Sequence, residues 1–118
     1  MLTDSRIHPR VETDFEVKVG IPGDNSGARI VSMSVGGIAI LGNHQLEDIL
    51  KLDKADANGV LEHIVSFSMP GGELSEICRL VHVRRLSQEN YEFGLKFIDL
   101  NPQDTVIIAD YVDRHRRG

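Results

Sequence analysis

The stretch Tyr91-Glu92-Phe93-Gly94-Leu95-Lys96-Phe97 carries the clearest fold signal in this chain of 118 residues. An apolar side chain occupies every second position, which is the period of a strand with one buried face. Residues 75–86 form a longer run of the same kind, and the polar residues 87–90 between the two runs predict a turn. Alternation predicts two faces for the longer strand, one with Ile77, Val81 and Val83 and the other with Cys78, Leu80 and His82.

Four other stretches also have strand character. They are residues 15–19, 28–33, 38–41 and 61–69, and turn-forming segments separate them at residues 21–27, 34–37 and 70–72. Six or seven short antiparallel strands at this spacing predict a small closed barrel in a mostly β chain, because closure leaves no exposed strand edge.

Two segments have helical rather than strand spacing. Asn101 can cap a helix, Pro102 suits its first position, and an apolar stripe follows, so residues 101–115 predict a helix that lies on the barrel. Residues 45–52 predict one or two helical turns, and residues 52–59 predict a polar loop.

Composition predicts an ordinary globular domain. Apolar residues make up 41% of the chain and charged residues 26%, which suits one domain with one core. No apolar run approaches the roughly 18 residues of a membrane-spanning helix. The single cysteine and the absence of a signal-peptide pattern at the N-terminus favour the cytoplasm. A net charge of −5 argues against nucleic-acid binding, which needs a basic excess.

The N-terminal arm carries two arginines four positions apart, Arg6 and Arg10. Pro9 biases the residue before it away from helical geometry, so the pair is not a simple helix-surface pair. The planar guanidinium fork binds phosphate through two parallel bonds and can also engage guanine O6 and N7. By itself this spacing is common, and solvated arginines are the alternative.

A second signature, Ser32-Met33-Ser34-Val35-Gly36-Gly37, follows about twenty residues later. Gly36 and Gly37 permit positive φ and let a ligand approach the backbone without meeting a Cβ atom. Ser34 offers a hydroxyl group to a phosphate or a base edge. By themselves, glycines between two strands indicate only a tight turn.

The order and spacing of these signatures resemble the PilZ family of bacterial cyclic di-GMP receptors. The resemblance extends over nearly the whole chain and includes the arm, the turn at residues 34–38, the strand ending at Arg84, the strand 93–97 and a closing helix. It implies a six-stranded antiparallel barrel with a C-terminal helix. In that arrangement residues 1–12 form a flexible ligand-binding arm, residues 13–100 the barrel and residues 101–115 the helix.

The resemblance also implies a site for cyclic di-GMP. Arg6 and Arg10 would grip its phosphates and guanines, and Ser34 and Gly37 would lie against a guanine or the ribose-phosphate ring. His82 would stack on a guanine, with Arg84 on the same face. The expected ligand-binding residues are Arg6, Arg10, Ser32, Ser34, Gly36, Gly37, His82 and Arg84.

One position departs from the family pattern. Ser32 stands where the family usually has Asp or Asn, whose side chain reaches further toward a guanine. Losing one such contact costs about 1–3 kcal/mol, or roughly ten- to a hundredfold in affinity. An alternative function is therefore a PilZ-fold adaptor that does not bind cyclic di-GMP and acts through protein contacts.

The expected function is that of a receptor or adaptor whose arm and surface change on nucleotide binding. It would regulate a separate effector protein in motility, exopolysaccharide or biofilm control, as a monomer or weak dimer without membrane insertion. No catalytic motif or metal-ligand spacing is present, so neither an enzyme nor a metal cofactor is expected. A barrel that binds nucleic acid or flavin is disfavoured by the acidic balance and by only six aromatic residues.

Overall fold

A computed structural model describes residues 9–20, 27–52 and 62–116. Within these residues the chain forms six strands and two helices. In chain order they are β1 (Val11–Val19), β2 (Arg29–Ser34), β3 (Gly37–Gly42), α1 (His44–Leu52), β4 (Glu62–Met69), β5 (Gly72–Arg85), β6 (Tyr91–Phe97) and α2 (Pro102–His115).

The six strands close into one antiparallel barrel in the order β1-β2-β3-β6-β5-β4. All six strand pairings are antiparallel. The predicted fold class, a six-stranded barrel with a C-terminal helix and a short helix near residues 45–52, is confirmed. The pairing of β3 with β6 joins strands about fifty residues apart and brings the two halves of the barrel together.

Strand β1 begins at Val11, earlier than the predicted start at residue 15 and inside the segment expected to be an arm. Val11 and Glu12 pair with the end of β2. A bulge between Glu12 and Phe15 breaks the alternation of side chains there. The interrupted period is the physical reason why the sequence pattern shows only the second half of this strand.

The predicted faces of β5 are wrong at its C-terminal half. A bulge lies between Leu80 and His82, so one extra residue shifts the alternation. Leu80 and Val83 both pack against the core, whereas His82 is exposed on the outer surface and Val81 is 55% exposed. The bulge therefore turns His82 outward and keeps the next apolar side chain inside.

The two helices cover apolar surface of the barrel. Asn43 caps α1 by accepting the N–H groups of Gln45 and Leu46, and Leu46 and Leu50 are fully buried. The expected short helix thus spans nine residues. Helix α2 contributes two buried side chains to the core, Ile108 and Val112.

The start of α2 follows the predicted capping pattern. The Asn101 side chain accepts the N–H of Asp104 at 2.7 Å, and Pro102 occupies the first helical position. Further along the helix, the ring of Tyr111 meets the ring of Phe15 edge-on at 5.4 Å, which ties α2 to β1. Helix α2 therefore packs on the barrel, as the apolar stripe predicts.

A buried carboxyl group lies where α2 begins. The side chain of Glu76 is only 6% exposed and faces the barrel interior from β5. Burial, a hydrogen bond with the carboxyl group of Asp104 and the charge of that group raise the pKa of Glu76 to about 7. The Glu76 carboxyl group therefore titrates near neutral pH at the contact between β5 and the first turn of α2.

Gly37 is required by the close approach of β3 to β6. A Cβ atom at Gly37 would overlap the backbone carbonyl oxygen of Leu95, which cannot move without disturbing the strand pairing. A Cβ atom at Gly94 would instead overlap the ring of His82, which is exposed and can rotate away. The same substitution should therefore destabilise the protein more at Gly37 than at Gly94.

We expect Gly37→Ala to lower the free energy of unfolding by about 1–3 kcal/mol, because the added methyl group overpacks a backbone contact. The matched substitution Gly94→Ala is expected to cost less than about 1 kcal/mol, since an exposed ring can move. Urea unfolding followed by circular dichroism measures both values. Equal losses for the two variants would contradict this explanation.

The Glu76 carboxyl group makes stability depend on pH. Because its pKa is raised in the folded protein, its contribution is fully present below the pKa of the unfolded chain, about 4.5, and is lost as pH rises to about 7. We expect the wild type to lose on the order of 1–3 kcal/mol of stability over this range relative to Glu76→Gln. Urea unfolding at pH 5 and pH 8 measures the difference, with exposed Glu73→Gln on the same strand as the control. Parallel pH profiles for wild type and Glu76→Gln would refute it.

Candidate functional site

Four residues align across four adjacent strands of the barrel. The strand registers place Ser32 of β2 opposite Ala39 of β3, Ala39 opposite Gly94 of β6, and Gly94 opposite His82 of β5. Adjacent strands lie about 4.8 Å apart, so these four residues, which we call the central row, span about 14 Å. Three of the four have small side chains or none, which leaves a flat floor.

The central row lies on the outer surface of the barrel. The neighbouring residues Met33, Ile38 and Ile40 are fully buried in the core, and side chains alternate between the two faces of a strand. At the far end of the row, the imidazole of His82 occupies the space where Gly94 has no side chain. The floor is therefore bounded by an aromatic ring at its β5 end.

Arg10 bounds the other end of the central row. Its Nε donates to the hydroxyl oxygen of Ser32 at 3.0 Å, and its Nη1 donates to the hydroxyl oxygen of Ser34 at 3.3 Å. Both acceptors are neutral, so these bonds orient the guanidinium group without cancelling its charge. The structure thus brings together three of the predicted site residues.

Ser34 also holds the turn between β2 and β3. Its hydroxyl oxygen accepts the N–H of Gly36 at 3.0 Å, and the residue is only 2% exposed. Neither Gly36 nor Gly37 adopts the positive φ that glycine permits. Ser34 therefore supports both the turn and Arg10, and Gly37 serves the contact between strands.

The electrostatic surroundings of Arg10 are mixed. Partial burial lowers the pKa of Arg10, and the carboxylate of Glu92 raises it. An arginine remains protonated at neutral pH in either case. Glu92 is already paired with Arg84, whose Nη2 lies 2.7 Å from Oε1 of Glu92. Arg84 follows His82 by two residues, with the core-facing Val83 between them, so the two lie on the same face, as predicted. The charge of Arg84 is, however, paired with the carboxylate of Glu92.

A second row runs beside the central row. The registers align Ser34 of β2, Gly37 of β3, Lys96 of β6 and Arg79 of β5. We call these four residues the second row. Sequence analysis did not assign Lys96, Arg79, Ala39 or Gly94 to the site. The available signal was the alternation of 91–97, which sets Gly94 and Lys96 on one face, but only the pairing of β6 with both β3 and β5 places that face in the site.

One predicted site residue, Arg6, lies outside the described residues. The remaining seven lie in or beside the two rows. Arg10, Ser32 and Ser34 are joined by hydrogen bonds, Gly37 and His82 are members of the rows, and Gly36 and Arg84 adjoin them.

Other kinds of site have little support in the described part of the chain. No group of three or more His, Cys, Asp or Glu side chains in it could hold a metal ion. Burial, and then the nearby charge of Glu76, raise the pKa of the Cys78 thiol to about 12, so this buried thiol is not a nucleophile at neutral pH. Neither helix in the described residues is long and apolar enough to cross a bilayer.

The two serines that hold Arg10 are expected to differ in their contribution to stability. Ser34→Ala removes a buried acceptor of two hydrogen bonds and should cost roughly 1–2 kcal/mol. Ser32→Ala removes a single hydrogen bond, the one from Nε of Arg10, which is more exposed. Water can replace this bond, so the substitution should cost less than about 0.5 kcal/mol. Urea unfolding of the two variants measures the difference, and a larger loss for Ser32→Ala would contradict this reading of the geometry.

Two solved structures share this fold. One is described as the structure of Bacillus subtilis inhibitor of motility (MotI/DgrA). It has a TM-score of 0.68 and 13% identity, and the match covers 95% of this chain and 51% of that one. The chain thus spans about half the length of MotI/DgrA. The other is described as the PilZ domain with c-di-GMP of YcgR from Escherichia coli, with a TM-score of 0.64, 10% identity, and 95% and 92% coverage.

The comparison with protein families gives a match over almost the full length. The family model of the PilZ domain matches residues 4–114, which include the arm arginines, both rows and nearly all of α2. No curated protein sequence matches the chain. The family match confirms the resemblance inferred from the two signatures, and the chain belongs to the PilZ domain family.

Proposed function

We propose that this domain is a receptor for cyclic di-GMP, which binds on the outer surface of the barrel over the central row. The observation that carries the proposal is the position of Arg10, held by Ser32 and Ser34 at one end of a flat floor. This arrangement presents a fixed cation beside a surface on which a planar, anionic ligand can lie.

The chemistry of Arg10 suits such a ligand. Its guanidinium fork can bind a phosphate or the O6 and N7 atoms of guanine through two bonds. Two serine hydroxyls already orient the fork, which reduces the entropy that a ligand must offset on binding. Each charge-assisted bond contributes roughly 1.5–3 kcal/mol net, so one well-placed arginine can decide micromolar binding.

The floor suits the bases of the ligand. Ala39 projects little beyond the backbone, so a purine ring can approach the strands closely there, beside the His82 ring that lies over Gly94. His82 is exposed at the end of this floor and can stack on a guanine. We propose contacts to the ligand from Arg6, Arg10, Ser32, Gly36, Gly37, His82 and Arg84, with Ser34 acting mainly through Arg10.

Family membership supports the same ligand. The related structure of YcgR is a PilZ domain with c-di-GMP, and MotI/DgrA is described as an inhibitor of motility. We infer that this chain serves as a receptor or adaptor rather than an enzyme. It would act in the cytoplasm, as a monomer or weak dimer, on a separate effector in motility, exopolysaccharide or biofilm control.

A ligand-free adaptor is the second candidate function, and Ser32 favours it. The hydroxyl oxygen of Ser32 already accepts a hydrogen bond from Arg10. In addition, Ser32 stands where the family usually has the longer side chain of Asp or Asn. In this case the barrel would act through protein contacts alone. The two candidates differ in whether the protein takes up cyclic di-GMP.

We expect calorimetric titration of cyclic di-GMP into the wild-type protein to show micromolar or tighter binding. Arg10→Ala should weaken that binding at least about thirtyfold, because it removes two or more charge-assisted bonds. Arg29→Ala is a matched control, since Arg29 lies on β2 at the other end of the strand and pairs with Asp14. Circular dichroism verifies that each variant is folded.

Two results would contradict the proposal. The first is the absence of binding heat with a folded wild-type protein, which would favour the adaptor. The second is equal affinity of wild type and Arg10→Ala, which would place the nucleotide elsewhere on the barrel.

A further inference from the structure

Two cations lie directly opposite each other on the outer surface, next to the candidate site. The register of β5 and β6 pairs Arg79 with Lys96. Side chains at directly opposite positions have Cβ atoms about 4.5–5.5 Å apart, and like charges there destabilise the sheet. A pair of this kind needs a compensating anion from the protein or from a ligand.

The described residues neutralise this pair only in part. Arg79 has one acidic partner, Glu62, at an Nη2–Oε2 distance of 3.5 Å, and both side chains are substantially exposed. Lys96 forms no ion pair with any described residue and is exposed. Glu92, the acidic residue on the same strand as Lys96, is already paired with Arg84. Within the described residues, Lys96 is thus a cation without an acidic partner beside a second positive charge.

The position of Lys96 connects it to the candidate site. It lies in the second row, where Gly37 separates it from Ser34, one of the two serines that hold Arg10. Two strand spacings, about 10 Å, therefore separate the backbone of Lys96 from β2, whose serines bind the side chain of Arg10. Between the two cations lies a surface of glycine and alanine. A ligand with one phosphate near Arg10 and another anionic group about a nucleotide away would reach both.

We propose that Lys96, with Arg79 beside it, forms a second anion subsite that receives the second phosphate of a cyclic dinucleotide. The inference rests on the proposed function and adds to it a specific second contact. The like-charge pair is a cost in the free protein that the bound phosphate offsets. Ligand affinity and the stability of the free protein should therefore respond in opposite directions to substitutions of Lys96.

The test combines two variants at Lys96 with two matched controls at Lys18. Lys18 is an exposed lysine on β1 that faces Ser66 of β4, outside both rows. Cyclic di-GMP is titrated into wild type, Lys96→Gln, Lys96→Glu, Lys18→Gln and Lys18→Glu at low and moderate salt. The melting temperature of each free protein is measured in a buffer without phosphate or sulfate.

We expect Lys96→Gln to weaken binding roughly five- to thirtyfold and to reduce its salt dependence, and Lys96→Glu to weaken it further. The free Lys96→Glu protein should melt at a higher temperature than wild type, because a carboxylate opposite Arg79 replaces a like charge. The Lys18 variants should change affinity less than about twofold.

The outcomes separate this inference from the proposed function. If wild type binds cyclic di-GMP and both Lys96 variants bind it as tightly as the Lys18 variants do, the second subsite is wrong and the receptor function stands. If binding falls but the free Lys96→Glu protein is less stable than wild type, Lys96 is a structural residue and the subsite is also wrong. If wild type gives no binding heat, the proposed function and the subsite fail together.

Discussion

The pairing of β3 with β6 is the contact on which both the barrel and the candidate site depend. These strands are about fifty residues apart in the chain, and their approach is close enough that a Cβ atom at Gly37 would overlap the carbonyl oxygen of Leu95. The same contact aligns Ala39 with Gly94 and so joins the serine side of the site to the histidine side. The absence of a side chain at Gly37 therefore permits closure of the sheet and also keeps the outer surface flat beside the candidate site.

Bulges adapt the regular strand period to the needs of the site. In β5 an extra residue between Leu80 and His82 turns the imidazole outward, while Val83 returns to the core. Without the extra residue, strict alternation would place His82 and Leu80 on the same face, and the imidazole would lie inside the barrel. Strand β1 begins directly after Arg10, and a bulge between Glu12 and Phe15 increases the local twist of this strand. The bulge in β5 thus gives His82 an outward orientation that a regular strand would not give it.

The parts of the fold that sequence could predict are those with local causes. The cap at Asn101, the proline after it and the alternation of 91–97 each act within a few residues, and the structure confirms the elements that they predict. The resemblance of the two signatures to PilZ domains predicted Arg10, Ser32 and Ser34 as a group, and hydrogen bonds join them. The register of β6 with its two neighbours is a long-range property, so the position of Lys96 between Gly37 and Arg79 could not be predicted from spacing. The bulges could not be predicted for a related reason. An extra residue in one strand is recognised only from its register with the neighbouring strand.

The charge distribution suggests how such a site works in an acidic protein. With a net charge of −5, the chain as a whole does not attract an anionic nucleotide over long distances. At physiological ionic strength, however, charges more than about 8 Å apart are largely screened, so the local arrangement decides binding. Arg10 is held by neutral hydroxyls, and Lys96 has no acidic partner among the described residues, whereas Arg84 and Arg29 are paired with Glu92 and Asp14. Arg10 and Lys96, which face the glycine and alanine surface, are therefore the least neutralised of these four cations, and an anionic ligand on this surface would be held by local contacts rather than by the overall field of the protein.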